Sequence, residues 1–337
     1  MKSHALPIVD STPDAKPRGR LAHYALRVSL LEQCQLRCRY CMPGSVQPYT
    51  ARDRWLSPDE IARVVTLLRA RGLHKVRLTG GEPLLRDDVV DVVAALRAPI
   101  GDGELALTTN GVLLSSKLDA LREAGLARVT VHIDTLRDDR YEALMGTGAS
   151  PGAIVDAVAR ARATLDDVKL NVVVQRGAND DELLSFLALS RTLSVEVRFI
   201  EQMNTGSAQG YVRETFMSGR DIVDTIARAV GARARPRRHA SDPAALYVTD
   251  DDVTFGVIAS DTEPFCADCD RLRLTSDGRL RGCLYESTGA PLGALMKAGA
   301  SDAQLAALID VALTDKRSHH PLVARDRAPF SMADVGG

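Results

Sequence analysis

No stretch of the 337-residue chain reaches the ~18 consecutive apolar residues that a membrane-spanning helix requires. Residues 1–20 lack the apolar core of a secretory signal; polar, with proline and basic side chains, they read as a flexible leader ahead of a cytoplasmic protein. Neither charge sign is in excess. The 43 Lys and Arg stand against 44 Asp and Glu, a net charge of −1, which argues against a protein built to coat nucleic acid. No low-complexity tract is present, and no repeat beyond a strand–helix unit. Cysteine is scarce, and a chain of this length buries enough core to fold without disulfides. What remains is an ordinary globular composition, 45% apolar and 26% charged. The length suits about two domains or one large barrel.

The 6 cysteines are Cys34, Cys38, Cys41, Cys266, Cys269 and Cys283, in two distant triplets spaced C-x3-C-x2-C and C-x2-C-x13-C. Disulfide frameworks belong to short secreted chains, whereas clustered cysteines in a long chain without an export signal more often bind metal. A closed structural zinc site takes four ligands, so three thiolates leave a position open. A four-iron cluster on three cysteines has one iron free for a small molecule, whereas zinc has no redox chemistry. Spacing alone leaves both open, since His319 or His320 could complete a zinc site.

Along the chain, strands are expected at 25–31, 76–79, 104–109, 128–133, 168–174 and 195–200. Helices are expected between and after them at 58–71, 87–97, 116–124, 154–165 and 180–192. Ser57 and Glu60 form a capping box with Pro58 at the first helical position, and Gly72 ends that helix. The strands read as apolar throughout and buried on both faces, which predicts a parallel α/β sheet or barrel. Polar and glycine clusters follow the strands, at residues 34–41, 80–82, 109–111, 134 and 201–204. In parallel barrels the active site lies at those ends, so these motifs converge on one mouth, and six units make an incomplete barrel. Beyond Gly231 come a basic linker (233–238), short strands at 245–248 and 253–259, the second triplet and an amphipathic helix over 302–313.

Cys34, Cys38, Tyr40 and Cys41 form C-x3-C-x-aromatic-C, which resembles the signature of the radical S-adenosylmethionine superfamily. Gly80-Gly81-Glu82-Pro83 resembles its GGEP motif. The second triplet with Arg271-Leu272-Arg273 and the terminal Gly336-Gly337 is similar to the GTP 3′,8-cyclase family. That resemblance, running from about residue 18 to the end, implies an incomplete (β/α)6 barrel with a carboxyl-terminal α+β extension. The expected division is a leader (1–20), a partial barrel (21–231) and an auxiliary-cluster region (232–337). It further implies two 4Fe–4S clusters and S-adenosylmethionine as cofactors, with the two triplets facing each other across the barrel mouth. The implied chemistry is cleavage of S-adenosylmethionine to a 5′-deoxyadenosyl radical. That radical takes the ribose 3′ hydrogen of GTP, and C3′ attacks C8 to give (8S)-3′,8-cyclo-7,8-dihydroguanosine 5′-triphosphate, the first step of molybdenum cofactor biosynthesis.

Residue roles follow from the same resemblance. Cys34, Cys38 and Cys41 match the ligands of the first cluster, and Cys266, Cys269 and Cys283 those of the second. Tyr40, Gly81, Glu82 and Met203 match S-adenosylmethionine positions. His132 stands where the family usually has a serine. Arg27, Arg77, Thr108, Lys169, Arg271, Leu272 and Arg273 match GTP positions, where convergent cations suit a triphosphate. Asp270 replaces a usual asparagine, and Gly336 and Gly337 match a tail that enters the site. Implied partners are GTP, a reducing electron donor, the downstream cyclic pyranopterin monophosphate synthase and a possible second copy of the chain, with no nucleic acid or membrane. The competing readings are another radical enzyme with an auxiliary cluster, such as a peptide-modifying one, and a zinc-stabilised binding module.

Overall fold

The structure is a computed structural model and describes residues 23–41, 49–146, 148–203, 209–286 and 288–318. The leader, His319, His320, Gly336 and Gly337 lie outside the described residues. Six strand–helix units follow one another. β1 (Tyr24–Ser29) leads to α1 (Pro58–Arg69), β2 (Leu73–Thr79) to α2 (Val89–Ile100), and β3 (Glu104–Thr109) to α3 (Leu114–Glu123). β4 (Arg128–His132) is followed by α4 (Asp138–Met145) and α5 (Pro151–Thr164), and β5 (Asp167–Val174) by α6 (Leu183–Leu193). β6 (Glu196–Glu201) is followed by α7 (Gln209–Thr215) and α8 (Gly219–Val230). β1 to β6 pair in order, all parallel. The capping box forms: the Ser57 hydroxyl accepts from the Glu60 amide and the Glu60 carboxylate from the Ser57 amide.

The rest of the chain is β7 (Arg233–Arg235), β8 (Ala245–Val248), β9 (Thr254–Ile258), β10 (Arg271–Leu274), β11 (Arg279–Arg281), β12 (Ala290–Pro291), α9 (Leu292–Lys297) and α10 (Asp302–Ser318). These strands extend both edges of the parallel sheet. β9 pairs parallel with β6, and β10 parallel with β1. The result is an open sheet of 12 strands in the order β12-β11-β10-β1-β2-β3-β4-β5-β6-β9-β8-β7. Part of the expected basic linker is thus an edge strand, because Arg233–Arg235 pairs antiparallel with β8. α4 and α8 were not expected from the sequence, although Ser218 caps α8 and Ile222 and Ile226 are its buried stripe. Among the described residues no helix is long and apolar enough to cross a membrane.

The expectation of strands buried on both faces holds in β3, β4 and β5, where residues 105–107, 129–131, 168–170 and 172–174 are all buried, and is corrected in β1 and β2. In β1, Tyr24, Leu26 and Val28 join the helix-covered core, and Arg27 points to the other face. In β2, Val76 and Leu78 are core and Lys75 and Arg77 are not. The inner face is therefore polar. Register places Arg27 beside Arg77 and Arg273, Thr108 beside Thr130, Thr130 beside Lys169, and His132 beside Asn171. Alternation was hidden in the sequence because the inner positions carry threonine and alanine as well as charges.

Candidate active site

The loop after β1 carries Cys34, Cys38 and Cys41 and is held by the turn after β2. The Gly81 amide donates to Leu31 O (2.8 Å) and the Glu82 amide to Gln33 O (2.8 Å). A Cβ on Gly81 would sit 2.3 Å from Gln33 O, and one on Gly80 2.4 Å from Leu31 O, so only glycine lets the two backbones meet. The cysteine loop also rests on α4. The Arg37 amide donates to Met145 O (2.9 Å), and Cys38 Sγ lies 3.8 Å from Met145 Sδ. Asn110, just past β3, points its Nδ2 at Cys34 Sγ, 3.6 Å away. Burial pushes the Cys34 thiol up and the Cys38 thiol well up, and a bound cation such as iron would favour their ionised form. All six cysteines are free thiols. Among the described residues no three His, Cys, Asp or Glu side chains close on a point that one metal ion could fill. The fit to a cluster rests on the donor set: three thiols in one loop, backed by an amide donor.

Tyr40, His132 and Asp134 form one network. The Tyr40 hydroxyl donates to Asp134 Oδ2 (2.8 Å) and meets His132 Nε2, which lies 3.2 Å from the same carboxylate. Burial alone would lower the His132 pKa, but the Asp134 charge and hydrogen bond outweigh it and hold the ring above the usual value. His132 thus fastens Tyr40. Glu82 is fully buried and accepts from Thr109 Oγ1 (2.7 Å), the Asn110 amide (2.7 Å) and the Leu84 amide (3.0 Å). Burial raises its pKa to about 7. In this arrangement Glu82 ties the ends of β2 and β3 together. Met203 sits partly buried just beyond β6.

On the inner face the cations fall into two groups. In one, charges are paired: Glu104 binds Lys75 and Arg128, Arg128 binds Asp167, and Glu196 binds Lys169 (3.1 Å) and Arg198 (2.6 Å). In the other, neither Arg27 nor Arg77 has a carboxylate within ion-pair distance among the described residues. Among the described residues Arg77 donates to Thr108 Oγ1 (3.1 Å) and Thr130 Oγ1 (2.9 Å). Burial, reinforced by Arg273, Arg271 and Arg77, pulls the Arg27 pKa well down. Burial brings Arg77 and Arg273 each to about 10. Deep-set guanidinium groups that repel one another are a ready site for a polyanion.

The second triplet lies at the other end of the strands. Cys266–Asp268 is a single helical turn, Cys269 precedes β10, and Cys283 follows β11. Since β10 runs parallel to β1 with Arg271 opposite Ala25, Cys269 is level with the start of β1. The first triplet follows the end of β1, so the expectation that both triplets face each other across one mouth is corrected. The crossover that adds β10 parallel to β1 puts the inner-face arginines between them. Arg271 stacks on Phe265, 4.4 Å from the ring centre. Burial alone would raise the Cys269 thiol, but the Arg271 and Lys316 charges hold it down to about 7. Leu272 is fully buried in register with Leu26, so its side chain belongs to the core and not to the inner face. Asn110, Asp134 and Lys316 were not singled out as site residues from the sequence. The first two lie in the polar clusters after β3 and β4. Lys316 continues the buried stripe of Leu305, Ile309 and Leu313, beyond where the helix was expected to end.

Residues 28–189 match the Radical SAM superfamily, and residues 195–322 match Molybdenum Cofactor Synthesis C. Fold and site together define a radical S-adenosylmethionine protein, with an iron–sulfur cluster and S-adenosylmethionine as its cofactors. The chain is 39% identical over 322 residues to GTP 3′,8-cyclase 1 of Mycobacterium tuberculosis, covering 94% of this chain and 90% of that one. It is 37% identical over 313 residues to GTP 3′,8-cyclase of Moorella thermoacetica, covering 93% and 97%. The chain belongs to the GTP 3′,8-cyclase family. Among solved structures, Streptococcus suis SuiB bound to precursor peptide SuiA has a TM-score of 0.61 at 13% identity, over 93% of this chain and 70% of that one. SuiB bound to S-adenosylmethionine has a TM-score of 0.59 at 12% identity, over 80% and 63%. At such identity the likeness concerns the fold.

Proposed function

We propose that the protein is a GTP 3′,8-cyclase that joins the ribose C3′ of GTP to C8 of its guanine in the first step of molybdenum cofactor biosynthesis. The observation that carries this reading is the set of Arg27, Arg77 and Arg273 side by side on β1, β2 and β10, between two cysteine triplets. When bound, a reduced cluster on Cys34, Cys38 and Cys41 supplies the electron that cleaves S-adenosylmethionine, and such clusters reach potentials of roughly −700 mV. The protein's own share is placement. Tyr40, fixed by His132 and Asp134, supports the adenine, and the Gly81 backbone and Met203 border the methionine part. Arg27, Arg77, Thr108, Lys169 and Arg273 hold the triphosphate. Cys266, Cys269 and Cys283 would hold a second cluster, which with three protein ligands would offer an open iron for the guanine, and Arg271 lies beside Cys269. Gly336 and Gly337 would complete the cavity as a side-chain-free tail.

In this reading residues 21–231 build the first site and residues 232–337 the second. The six free thiols suit a reducing compartment, the cytoplasm. The reaction needs an external one-electron donor, and its product passes to the cyclic pyranopterin monophosphate synthase. Incubation with GTP, S-adenosylmethionine and dithionite without oxygen is expected to consume GTP and release 5′-deoxyadenosine together. Release of 5′-deoxyadenosine with GTP recovered intact would sink the reading, and a peptide substrate would then be sought.

The Tyr40 network gives a separate expectation. Tyr40→Phe and His132→Phe should each weaken S-adenosylmethionine binding several-fold, at about 1 kcal/mol for a lost hydrogen bond. The double variant should be little worse than either single one, because both remove the same restraint. Calorimetric titration of anaerobic protein measures this, and fully additive losses would contradict it.

A further inference from the structure

Lys316, on the last turns of α10, is only 6% exposed. Its ammonium donates to Arg271 O (2.8 Å) and Gly282 O (2.9 Å) and lies 3.8 Å from Cys269 Sγ. An ammonium has three N–H donors, and these three partners account for all of them. Two of the acceptors lie between the second and third cysteines of the triplet: Arg271 follows Cys269, and Gly282 precedes Cys283. A Cβ on Gly282 would sit 3.0 Å from the Lys316 Cβ, so the glycine admits the lysine stem. Burying a lysine this fully is costly unless its charge is used. The nearest group that can carry the opposite charge is the Cys269 sulfur, with Cys283 also felt. The family-matched roles leave this residue without a task.

We propose that Lys316 is a positioning residue for the second triplet: it straps β10 to the Cys283 loop and directs its third N–H at the Cys269 thiolate. The proposal rests on the reading that this triplet holds an iron–sulfur cluster. A hydrogen bond and a positive charge at a ligand sulfur stabilise the more negative, reduced form of a cluster, so Lys316 raises the reduction potential of the second cluster. At the first triplet the charged groups acting on Cys34 are Glu82, which opposes its ionisation, and Arg37, which favours it, and the side-chain donor to its sulfur is the neutral amide of Asn110. The two sites are thereby poised differently, which keeps an incoming electron from treating them alike.

The test uses the full chain, reconstituted with iron and sulfide without oxygen, as the unsubstituted protein, Lys316→Met and Lys316→Arg. Iron content and potentiometric titration followed by electron paramagnetic resonance are the readouts. Lys316→Met is expected to shift the second cluster to a more negative midpoint and leave the first unmoved, and Lys316→Arg to restore most of the shift. An unmoved second midpoint in Lys316→Met at full iron content would overturn the proposal, as would equal shifts in both clusters. If Lys316→Met binds only one cluster, Lys316→Arg must recover the second, and its failure to do so also overturns the proposal. Unsubstituted protein that holds iron for one cluster only would instead show that the two-cluster reading itself fails.

Discussion

Arg27→Met is expected to weaken GTP binding about a hundredfold or more, the scale of losing a deep-set charge partner of a polyanion. The same change should raise the melting temperature of the ligand-free protein. Arg27 stands with Arg77 and Arg273 as neighbours and without a carboxylate among the described residues, and burial with those charges pulls its pKa well down. Methionine keeps the length of the side chain and removes the charge, so stability gains of about 1 kcal/mol are expected. Opposite signs in the two measurements, calorimetric GTP titration and thermal unfolding, separate a binding role from a structural one. If Arg27→Met lowered the melting temperature and left GTP binding intact, the arginine would be part of the scaffold. Lys169→Met should behave differently, because Lys169 already faces Glu196 and removing it takes one cation from a carboxylate that keeps Arg198 and Arg238 as partners.

The second large effect concerns the cysteines. Cys283→Ala should remove about half of the iron that anaerobically reconstituted protein holds and leave the first cluster able to cleave S-adenosylmethionine without consuming GTP. Cys38→Ala should do the reverse, abolishing cleavage while the second triplet keeps its iron. Iron and sulfide analysis with 5′-deoxyadenosine release reads both. Unchanged iron in Cys283→Ala would remove that residue from the ligand set, and a colourless protein holding stoichiometric zinc would replace the radical reading with a structural one.

Much of this was legible in the chain. The strand at Glu104–Thr109 and the cap at Ser57 followed from local chemistry, and local chemistry is what sequence shows best. The first triplet, Tyr40, Gly81 and Glu82 announced themselves because they share one short stretch or one turn. What escaped depends on distant segments. α4 reads as polar from Asp138 to Arg140, and only its contact with the cysteine loop gives it a purpose. The pairing of β10 beside β1 links residues far apart in sequence, and no local pattern predicts that Arg27 and Arg273 are neighbours. For the same reason the sequence suggested a shared mouth for both triplets, whereas the register places one at each end. Lys316 was hidden because lysines near helix ends are ordinarily solvated.

The placement of the triplets at opposite ends of the same strands has a consequence for what the cavity can accept. From the level of Arg271 to the end of β1 is a step of four residues, roughly 13 Å at the usual rise of a strand. A ligand engaging both ends must bridge that interval, and the row of arginines midway favours one that is anionic at that level. The sheet therefore acts as a gauge, passing over molecules that are too short or uncharged before any chemistry begins.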